Sequence, residues 1–114
     1  GLPTGEVVIT TGGNLAAKHV IHTVGPIYGR HGGQEAELLA ACYRNALALA
    51  HQHQLSSIAF PSISTGAYGY PPSEAAEVVS KALNAADFPG DIRLVFFDSH
   101  QMETFVKHQQ FRIT

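Results

Sequence analysis

The sequence predicts an α/β fold in which helices flank a sheet. Four short apolar runs and three segments with helical spacing follow one another in the order strand, strand, helix, strand, helix, strand, helix. The chain has 114 residues, of which 45% are apolar and 14% are charged, and it contains no internal repeat. That length and composition suit a single hydrophobic core. We therefore expect one domain-like unit spanning residues 1–114.

The four predicted strands are runs rich in apolar and β-branched residues. Glycines bound the first run, and Gly25-Pro26 stops the second. The last run contains Leu94-Val95-Phe96-Phe97, which lacks alternation and is typical of a strand covered on both faces. A single helical turn is expected over 14–18, between the first two strands. The predicted strands are 7–10, 20–24, 57–60 and 92–97.

The three predicted helices are segments in which apolar residues recur at intervals of three and four. The second helix starts near Pro72, which needs no amide partner at a first helical position, and runs to about Ala86. Asp98 and Gln101 have the spacing of an N-cap and N3 pair for the third helix. The longest helix, about 34–53, places on one face Leu38, Leu39, Cys42, Ala46, Leu49 and Ala50. The expected apolar positions of the other two are Ala75, Ala76, Val79, Leu83, Met102, Phe105 and Val106.

The segment 61–71 joins a predicted strand to a predicted helix, the position at which open α/β sheets bind ligands. Gly66 and Gly69 let the backbone adopt positive φ and approach a phosphate. The hydroxyls of Ser62, Ser64 and Thr65 and the N-terminus of the following helix add hydrogen-bond donors. The tyrosines at 68 and 70 offer flat faces for a sugar or base. An ordinary Gly/Ser/Pro turn is the alternative interpretation.

Several classes of function are not expected. A net charge of −2 without a basic stripe argues against duplex nucleic acid binding, and no apolar run approaches the ~20 residues that span a bilayer. Cys42, the only cysteine, is expected in the core, and we expect a cytoplasmic protein. The pairs His51/His53 and His19/His22 lack a third metal ligand in their motifs, and G-x-S-x-G of serine hydrolases is absent. His22 is expected to be a hydrogen-bonded structural residue within a strand.

Four motifs, in order along the chain, resemble the macrodomain family, in particular its MacroD-like branch. They are Pro3-Thr4-Gly5-Glu6, Gly13-Asn14-Leu15 with Ala17-Lys18, the run 20–26 (VIHTVGP), and 60–66 (FPSISTG). The match covers nearly the whole chain. The resemblance implies a three-layer α/β/α sandwich with a mixed sheet and a cleft for ADP-ribose. We expect no cofactor and, since no acid cluster lies near the loop, no metal.

The resemblance also assigns ligand-binding residues. The segment 63–69 would line the diphosphate and distal ribose, and Phe97 would stack on adenine. From the residues alone, Phe97 is expected to pack in the core, because Phe96 and Phe97 alternate faces and only one of them can face the cleft. We expect ADP-ribose, or an ADP-ribosylated molecule, as partner. The residues carried over by the resemblance are Ile63, Ser64, Thr65, Gly66, Ala67, Tyr68, Gly69 and Phe97.

The family places further elements ahead of the position of Gly1: an N-terminal strand, an Asp-Ile pair that meets adenine, an Asn-Ala-Ala-Asn segment, and a Gly-rich stretch followed by acid and His residues. In the hydrolytic members, which remove ADP-ribose or acetyl groups from their substrates, this part positions the distal ribose and the attacking water. We therefore assign no catalytic residue and keep as alternatives a non-catalytic reader of ADP-ribose, an inactive fragment or an interaction module.

That part of the family also supplies a central strand. Without it, we expect one of three outcomes: the four strands pair directly, a second copy completes the sheet as a homodimer through its exposed edges, or the sequence is a piece of a longer domain.

Overall fold

The computed structural model of the protein describes residues 1–111 and contains all seven predicted elements in the predicted order. The helical turn expected over 14–18 is wrong: these residues form turns and bends between the first two strands. Gly12 N–H donates to the carbonyl oxygen of Lys18 at 2.9 Å, so the connection is held as a hairpin. The elements are β1 (Val7–Thr11), β2 (His19–Thr23), α1 (Glu35–Gln52), β3 (Ser57–Pro61), α2 (Pro72–Ala85), β4 (Asp91–Val95) and α3 (Ser99–His108).

The strands form two separate two-stranded sheets. β1 and β2 are antiparallel, with Val7 opposite Thr23, whereas β3 and β4 are parallel, with Pro61 opposite Val95. The strand directions are therefore mixed, as expected. β2 and β3 are not hydrogen-bonded to each other, so direct pairing of all four strands is not what residues 1–111 adopt.

The core lies between the helices and one face of the strands. The ring of Tyr43 on α1 contacts the ring of Phe60 on β3, with centroids 4.7 Å apart. Of the positions predicted to be apolar on α1 and α2, all but Leu38 and Leu49 are buried, and those two are half-buried. Tyr43 and Leu47 are buried members of the α1 face that the spacing did not include. No helix within residues 1–111 is long and apolar enough to cross a membrane.

β4 and α3 differ from the predictions in their burial. β4 ends at Val95, and its side chains alternate between half-buried and exposed, so the expectation of cover on both faces is wrong. The reason is that the core contacts only the face bearing Ile92 and Leu94. In α3, Phe105 packs on Phe96 at 5.2 Å, whereas its other two predicted apolar side chains, Met102 and Val106, are exposed.

Candidate functional site

The segment between β3 and α2, residues 62–71, is called the site loop below. It leaves the carboxyl end of β3 at the edge where β4 also ends, because the two strands are parallel. Pro61 lies opposite Val95, so Ile63 and Phe97 each stand two residues beyond that pair at the same edge. Ligands of open α/β sheets bind outside the carboxyl ends of strands. The topology therefore gives the loop and Phe97 a common location.

The backbone of the site loop is folded so that a run of amides is free. Tyr70 N–H donates to the carbonyl oxygen of Ser64 at 2.9 Å, and Gly69 N–H donates to that of Gly66 at 3.0 Å. Within residues 1–111, no acceptor takes the N–H groups of residues 64–68. Five successive free donors next to the N-terminus of α2 form a concentration of positive partial charge. Such a loop suits an anion.

Positive φ was expected at Gly66 and Gly69. Two residues of the site loop have it, and only Gly69 is among those expected. Gly69 has φ +73°, but the second is Ser64 at +66°, and Gly66 has no positive φ. A serine in this region is uncommon, and such outliers persist where the surroundings fix them. The backbone around Ser64 is therefore held in a conformation that an isolated turn would rarely adopt.

The three hydroxyls of the loop divide into two roles. The Ser62 and Thr65 hydroxyls lie 2.6 Å apart, and Thr65 also donates to the carbonyl oxygen of Ser62 at 3.1 Å. These two stabilise the turn rather than point to a ligand. The Ser64 Oγ is buried and has no partner within residues 1–111. Only Ser64 thus keeps the unused donor and acceptor that all three were expected to offer.

Tyr43 of α1 and Gly25, two residues beyond β2, fix the base of the loop. The Tyr43 hydroxyl donates to the Pro61 carbonyl oxygen at 3.2 Å and accepts from Ile63 N–H at 3.4 Å. Burial raises the pKa of Tyr43 to about 12, so the phenol stays protonated at neutral pH. Beside it, Gly25 lies against Ser64: a Cβ at residue 25 would overlap the Ser64 Oγ and lie 2.6 Å from the Ile63 Cγ2. The close approach therefore requires a glycine here.

Residues 24–34, called the flanking loop below, are fastened to the site loop through Tyr28. Its N–H donates to the carbonyl oxygen of Tyr68 at 2.9 Å, and its ring meets that of Tyr70 edge-on at 5.0 Å. The Tyr28 hydroxyl donates to the Glu74 carboxylate at 3.1 and 3.3 Å, and this bond raises the pKa of Tyr28. The Tyr28 contacts thus join three segments: the flanking loop, the site loop and α2.

Glu35, the first residue of α1, closes the other end of the flanking loop. Its carboxylate accepts from His31 N–H at 2.9 Å, and this hydrogen bond holds the pKa of Glu35 below its usual value. The His31 Nε2 in turn lies 3.2 Å from Ile27 N–H. Glu35 is 8% exposed, and this hydrogen bond ties its carboxylate to the backbone of the flanking loop. Glu35 is therefore a structural group.

The predicted ligand residues fall into two groups. Residues 63–69 form one continuous loop, in which Gly66, Ala67, Tyr68 and Gly69 are exposed. Phe97 is 91% exposed, so the core position expected from the residues alone is wrong. No ring contact joins Phe97 to the loop within residues 1–111. The site loop contains no Asp, Glu, His or Lys, so it carries donors for binding but no base near neutral pH.

Sequence reasoning did not find Tyr43, Tyr28 or Glu74. Tyr43 follows Leu39 by four residues, a spacing that could have placed it on the buried face of α1, although it was not among the predicted apolar positions. Nothing in the sequence places Tyr28 against Glu74, since the two are 46 residues apart.

The structure confirms the predicted positions of Cys42 in the core and His22 within a strand. Cys42 is fully buried, and burial raises the pKa of its thiol. His22 Nε2 lies 2.9 Å from the Thr10 hydroxyl across the β1–β2 pair, as expected of a structural residue. His51 and His53 are exposed at the end of α1. In the part of the chain that the structure describes, no three His, Cys, Asp or Glu side chains could hold a metal ion.

A cavity of about 710 Å³ lies between β2 and β3. Ile63 is the only predicted ligand residue that lines it, so this space and the loop are neighbouring but distinct features. We call this space the slot.

Comparison with known proteins identifies relatives over most of the chain. The O-acetyl-ADP-ribose deacetylase of Salmonella typhimurium is 46% identical over 108 residues, which cover 91% of this chain and 60% of that protein. An Oceanobacillus iheyensis macrodomain solved with ADP superposes with a TM-score of 0.88 at 45% identity, covering 94% of this chain and 58% of that one. A Trypanosoma brucei macrodomain solved with ADP-ribose gives 0.77 at 34%, covering 94% and 46%. The chain thus spans about 60% of the length of its curated relatives.

The family model of the Macro domain matches residues 1–79, which include β1, β2, α1, β3 and the site loop. These are the segments that carry the resemblance seen in the sequence, and the structural superposition extends over the remaining elements. The α/β fold is accordingly that of macrodomains, and the chain belongs to the Macro domain family.

Proposed function

We propose that this chain binds ADP-ribose, with the diphosphate received by the backbone of residues 63–69. The observation that carries the proposal is the run of free N–H groups at residues 64–68, held beside the N-terminus of α2. Backbone donors aligned in this way bind phosphate oxygens without a lysine or a metal. The loop contains no acidic side chain that would repel an anion and no side chain that could act as a general base.

The remaining parts of the ligand have partners at the same edge. Tyr68 is 42% exposed, and its carbonyl oxygen is fixed by Tyr28, so its ring is free to pack beside a ribose. Phe97 is exposed at the end of β4 and offers a face on which adenine can stack. Relatives of this chain have been solved with ADP-ribose and with ADP, which supports a ligand of this class.

Deacetylation of O-acetyl-ADP-ribose is the second candidate, because a 46% identical relative is named for that activity. The matched residues span 60% of that relative, and the site loop of this chain supplies no general base. Binding is therefore the function that the described residues support best. An assay of acetate release from O-acetyl-ADP-ribose by the 114-residue chain tests the second candidate separately.

Titration calorimetry with ADP-ribose, ADP and ribose 5-phosphate tests the proposal. We expect ADP-ribose to bind more tightly than ADP, because ADP lacks the distal ribose, and ribose 5-phosphate to bind weakest, because it lacks adenine. A folded chain, verified by circular dichroism, that gives no heat with ADP-ribose would reject the proposal. Equal affinity for all three ligands would show that a phosphate alone is bound.

A further inference from the structure

The flanking loop, the site loop and Phe97 lie side by side at one edge of the fold. β3 is hydrogen-bonded to β4 on one of its edges, and its other edge faces β2 across the slot. Each of the three features follows the carboxyl end of one of these strands: the flanking loop follows β2, the site loop follows β3, and Phe97 follows β4. The site loop therefore lies between the flanking loop on one side and Phe97 on the other.

This order fixes the direction of a bound ADP-ribose. With adenine on Phe97 and the diphosphate on residues 64–68, the distal ribose is carried past the site loop toward the flanking loop. Tyr68, which is proposed to pack beside that ribose, accepts at its carbonyl oxygen from Tyr28 N–H of the flanking loop. An ADP-ribosyl group is joined to its acceptor through the anomeric carbon of the distal ribose. An acceptor would therefore leave the site over the flanking loop.

The flanking loop is held in place by its own hydrogen bonds. Arg30 N–H donates to the carbonyl oxygen of Ile27 at 3.1 Å, which closes a turn around Tyr28. The bonds of the Tyr28 hydroxyl to Glu74 and of the Glu35 carboxylate to the loop backbone fasten it at either end. A loop that is already ordered pays little further conformational entropy when it binds a partner. It can therefore present a fixed surface to an acceptor.

Arg30 is the one Lys, Arg, Asp or Glu residue of the flanking loop. Its side chain is exposed and forms no ion pair in the part of the chain that the structure describes. The two carboxylates next to the loop have other partners: that of Glu35 accepts from His31 N–H, and that of Glu74 accepts from the Tyr28 hydroxyl. Arg30 also lies within about 7 Å of Tyr28 along the chain, since only two residues separate them. Its guanidinium is therefore free to meet an anion from outside the fold.

The surface next to Arg30 is open and partly apolar. Ile27 is 40% exposed and Tyr28 is 42% exposed. A Cβ at Gly29 or Gly32 would meet no atom within 4 Å among residues 1–111, so nothing there covers the loop. One cation next to two exposed apolar side chains matches a short peptide that carries an acidic residue. It does not match a nucleic acid, whose phosphates are neutralised by several cations.

We propose that the flanking loop is a subsite for the acceptor, and that Arg30 selects polypeptides in which ADP-ribose is attached close to an acidic residue. The planar guanidinium pairs with a carboxylate through two parallel N–H donors. This inference rests on the proposed binding of ADP-ribose and extends it from the nucleotide to the polypeptide that carries it. Because the pair forms at an exposed position, the selectivity is modest and decreases as salt screens the charges.

Two ADP-ribosylated peptides test this selectivity. They have equal length, carry ADP-ribose at a central residue through a stable linkage, and differ only in the neighbouring residues, which are glutamates in one peptide and lysines in the other. Binding to the 114-residue chain is measured by calorimetry at low and high salt. Free ADP-ribose and an oligonucleotide with ADP-ribose on its terminal phosphate are measured beside them. At low salt we expect the glutamate peptide to bind about three- to fivefold more tightly than the lysine peptide.

Variants at two positions assign the selectivity to its residue. Arg30→Glu should reverse the order of the two peptides, whereas Arg30→Lys, which keeps the charge, should retain the order. Comparing two peptides on the same variant cancels any general change in folding or in affinity for ADP-ribose. Lys81→Glu is the matched control, because it changes the net charge equally on an exposed side chain of α2, nine residues or about 13 Å along the helix from Pro72. It should leave the selectivity unchanged.

Three results would overturn the inference while leaving the binding of ADP-ribose intact. They are equal affinity of the wild type for both peptides, a preference for glutamate that survives in Arg30→Glu, and tighter binding of the oligonucleotide than of either peptide. If no ligand binds, free ADP-ribose included, the proposed function is rejected and the inference falls with it.

Discussion

The hydroxyl of Tyr43 lies 3.2 Å from the carbonyl oxygen of Pro61 and thereby ties α1 to the last residue of β3. The Tyr43 hydroxyl also accepts from Ile63 N–H, so one phenol spans the point at which the strand becomes the site loop. Tyr43 is 2% exposed, and neither bond can be replaced easily by water. The loop therefore inherits its position from the helix beneath it.

Replacement of Tyr43 by Phe should destabilise the protein and loosen the site loop. The ring contact with Phe60 would remain, but the Pro61 carbonyl and the Ile63 N–H would lose their partner. We expect a loss of about 1 to 3 kcal/mol in the free energy of unfolding, the usual cost of leaving buried polar groups unpaired. Urea denaturation measures it. Arg44→Ala, which removes a contact between two exposed side chains, is the control and should change little. Equal stability of wild type and Tyr43→Phe would contradict the role of the hydroxyl.

Alkaline pH should weaken the fold through the same residue. The pKa of Tyr43 is raised from 10.0 to about 12 in the folded chain, so folding favours the protonated phenol. Between these values the unfolded chain has lost a proton that the folded chain retains. The stabilisation is therefore fully present below pH 10 and is lost as pH rises toward 12, by about 2 to 3 kcal/mol.

Urea unfolding at a series of pH values from 9 to 12 measures this loss. The Tyr43→Phe variant should show a shallower decline, with the remainder due to Cys42, Tyr28 and Tyr70, whose pKa values are also raised. Identical slopes for the variant and the wild type would show that another group titrates.

Gly66→Glu should abolish ADP-ribose binding without unfolding the protein. A Cβ at residue 66 would have no atom within 4 Å, and the residue has no positive φ, so a side chain can be accommodated. Its carboxylate would stand among the free N–H groups of the loop and repel a diphosphate. We expect at least a hundredfold weaker binding, about 2.8 kcal/mol, in calorimetry. Gly66→Ala, which adds no charge, is the matched control and should keep most of the affinity. If both variants bind like the wild type, the diphosphate is not received by this loop.

Gly25→Ala should displace the site loop from the flanking loop. The new methyl group would overlap the Ser64 Oγ and approach the Ile63 Cγ2, so we expect a loss of stability of about 1 to 3 kcal/mol. Thermal denaturation measures it. The double variant Gly25→Ala/Ser64→Gly removes one of the two clashes and supplies a residue suited to the positive φ at position 64. It should recover part of the loss. A neutral Gly25→Ala change would show that the two loops are not in close contact.

Most of the fold could be predicted from local patterns. Asp98 illustrates this: its carboxylate accepts from Gln101 N–H at 2.9 Å, as the spacing of an N-cap indicated. The apolar stripe of α1 was recognisable because three- and four-residue spacing depends only on the helix itself. The burial of β4 could not be predicted in the same way, because an unbroken apolar run such as 94–97 does not reveal whether one face of the strand or both are covered. Phe97 continues the exposed face of β4, on the side opposite Ile92 and Leu94.

The position of the site loop could be predicted, but its internal geometry could not. Glycine, serine and proline between a strand and a helix mark such a loop from composition alone. The positive φ falls on Ser64, which packs closely against Gly25, a residue about forty positions earlier in the sequence. Likewise, the partners of the three hydroxyls follow from how the turn closes. These features belong to tertiary packing and have no local signature.

The hydrogen bond between Tyr28 and Glu74 limits how the site loop could be transferred to another protein. Its two ends are separated by 46 residues, and the segment between them contains α1, β3 and the whole site loop. The loop is therefore not a portable motif: residues 62–71 grafted onto another strand-to-helix junction would lack the tyrosine that holds them from outside. Likewise, the contact between Tyr28 and Glu74 can form only once α2 has docked, since Glu74 lies in its first turn.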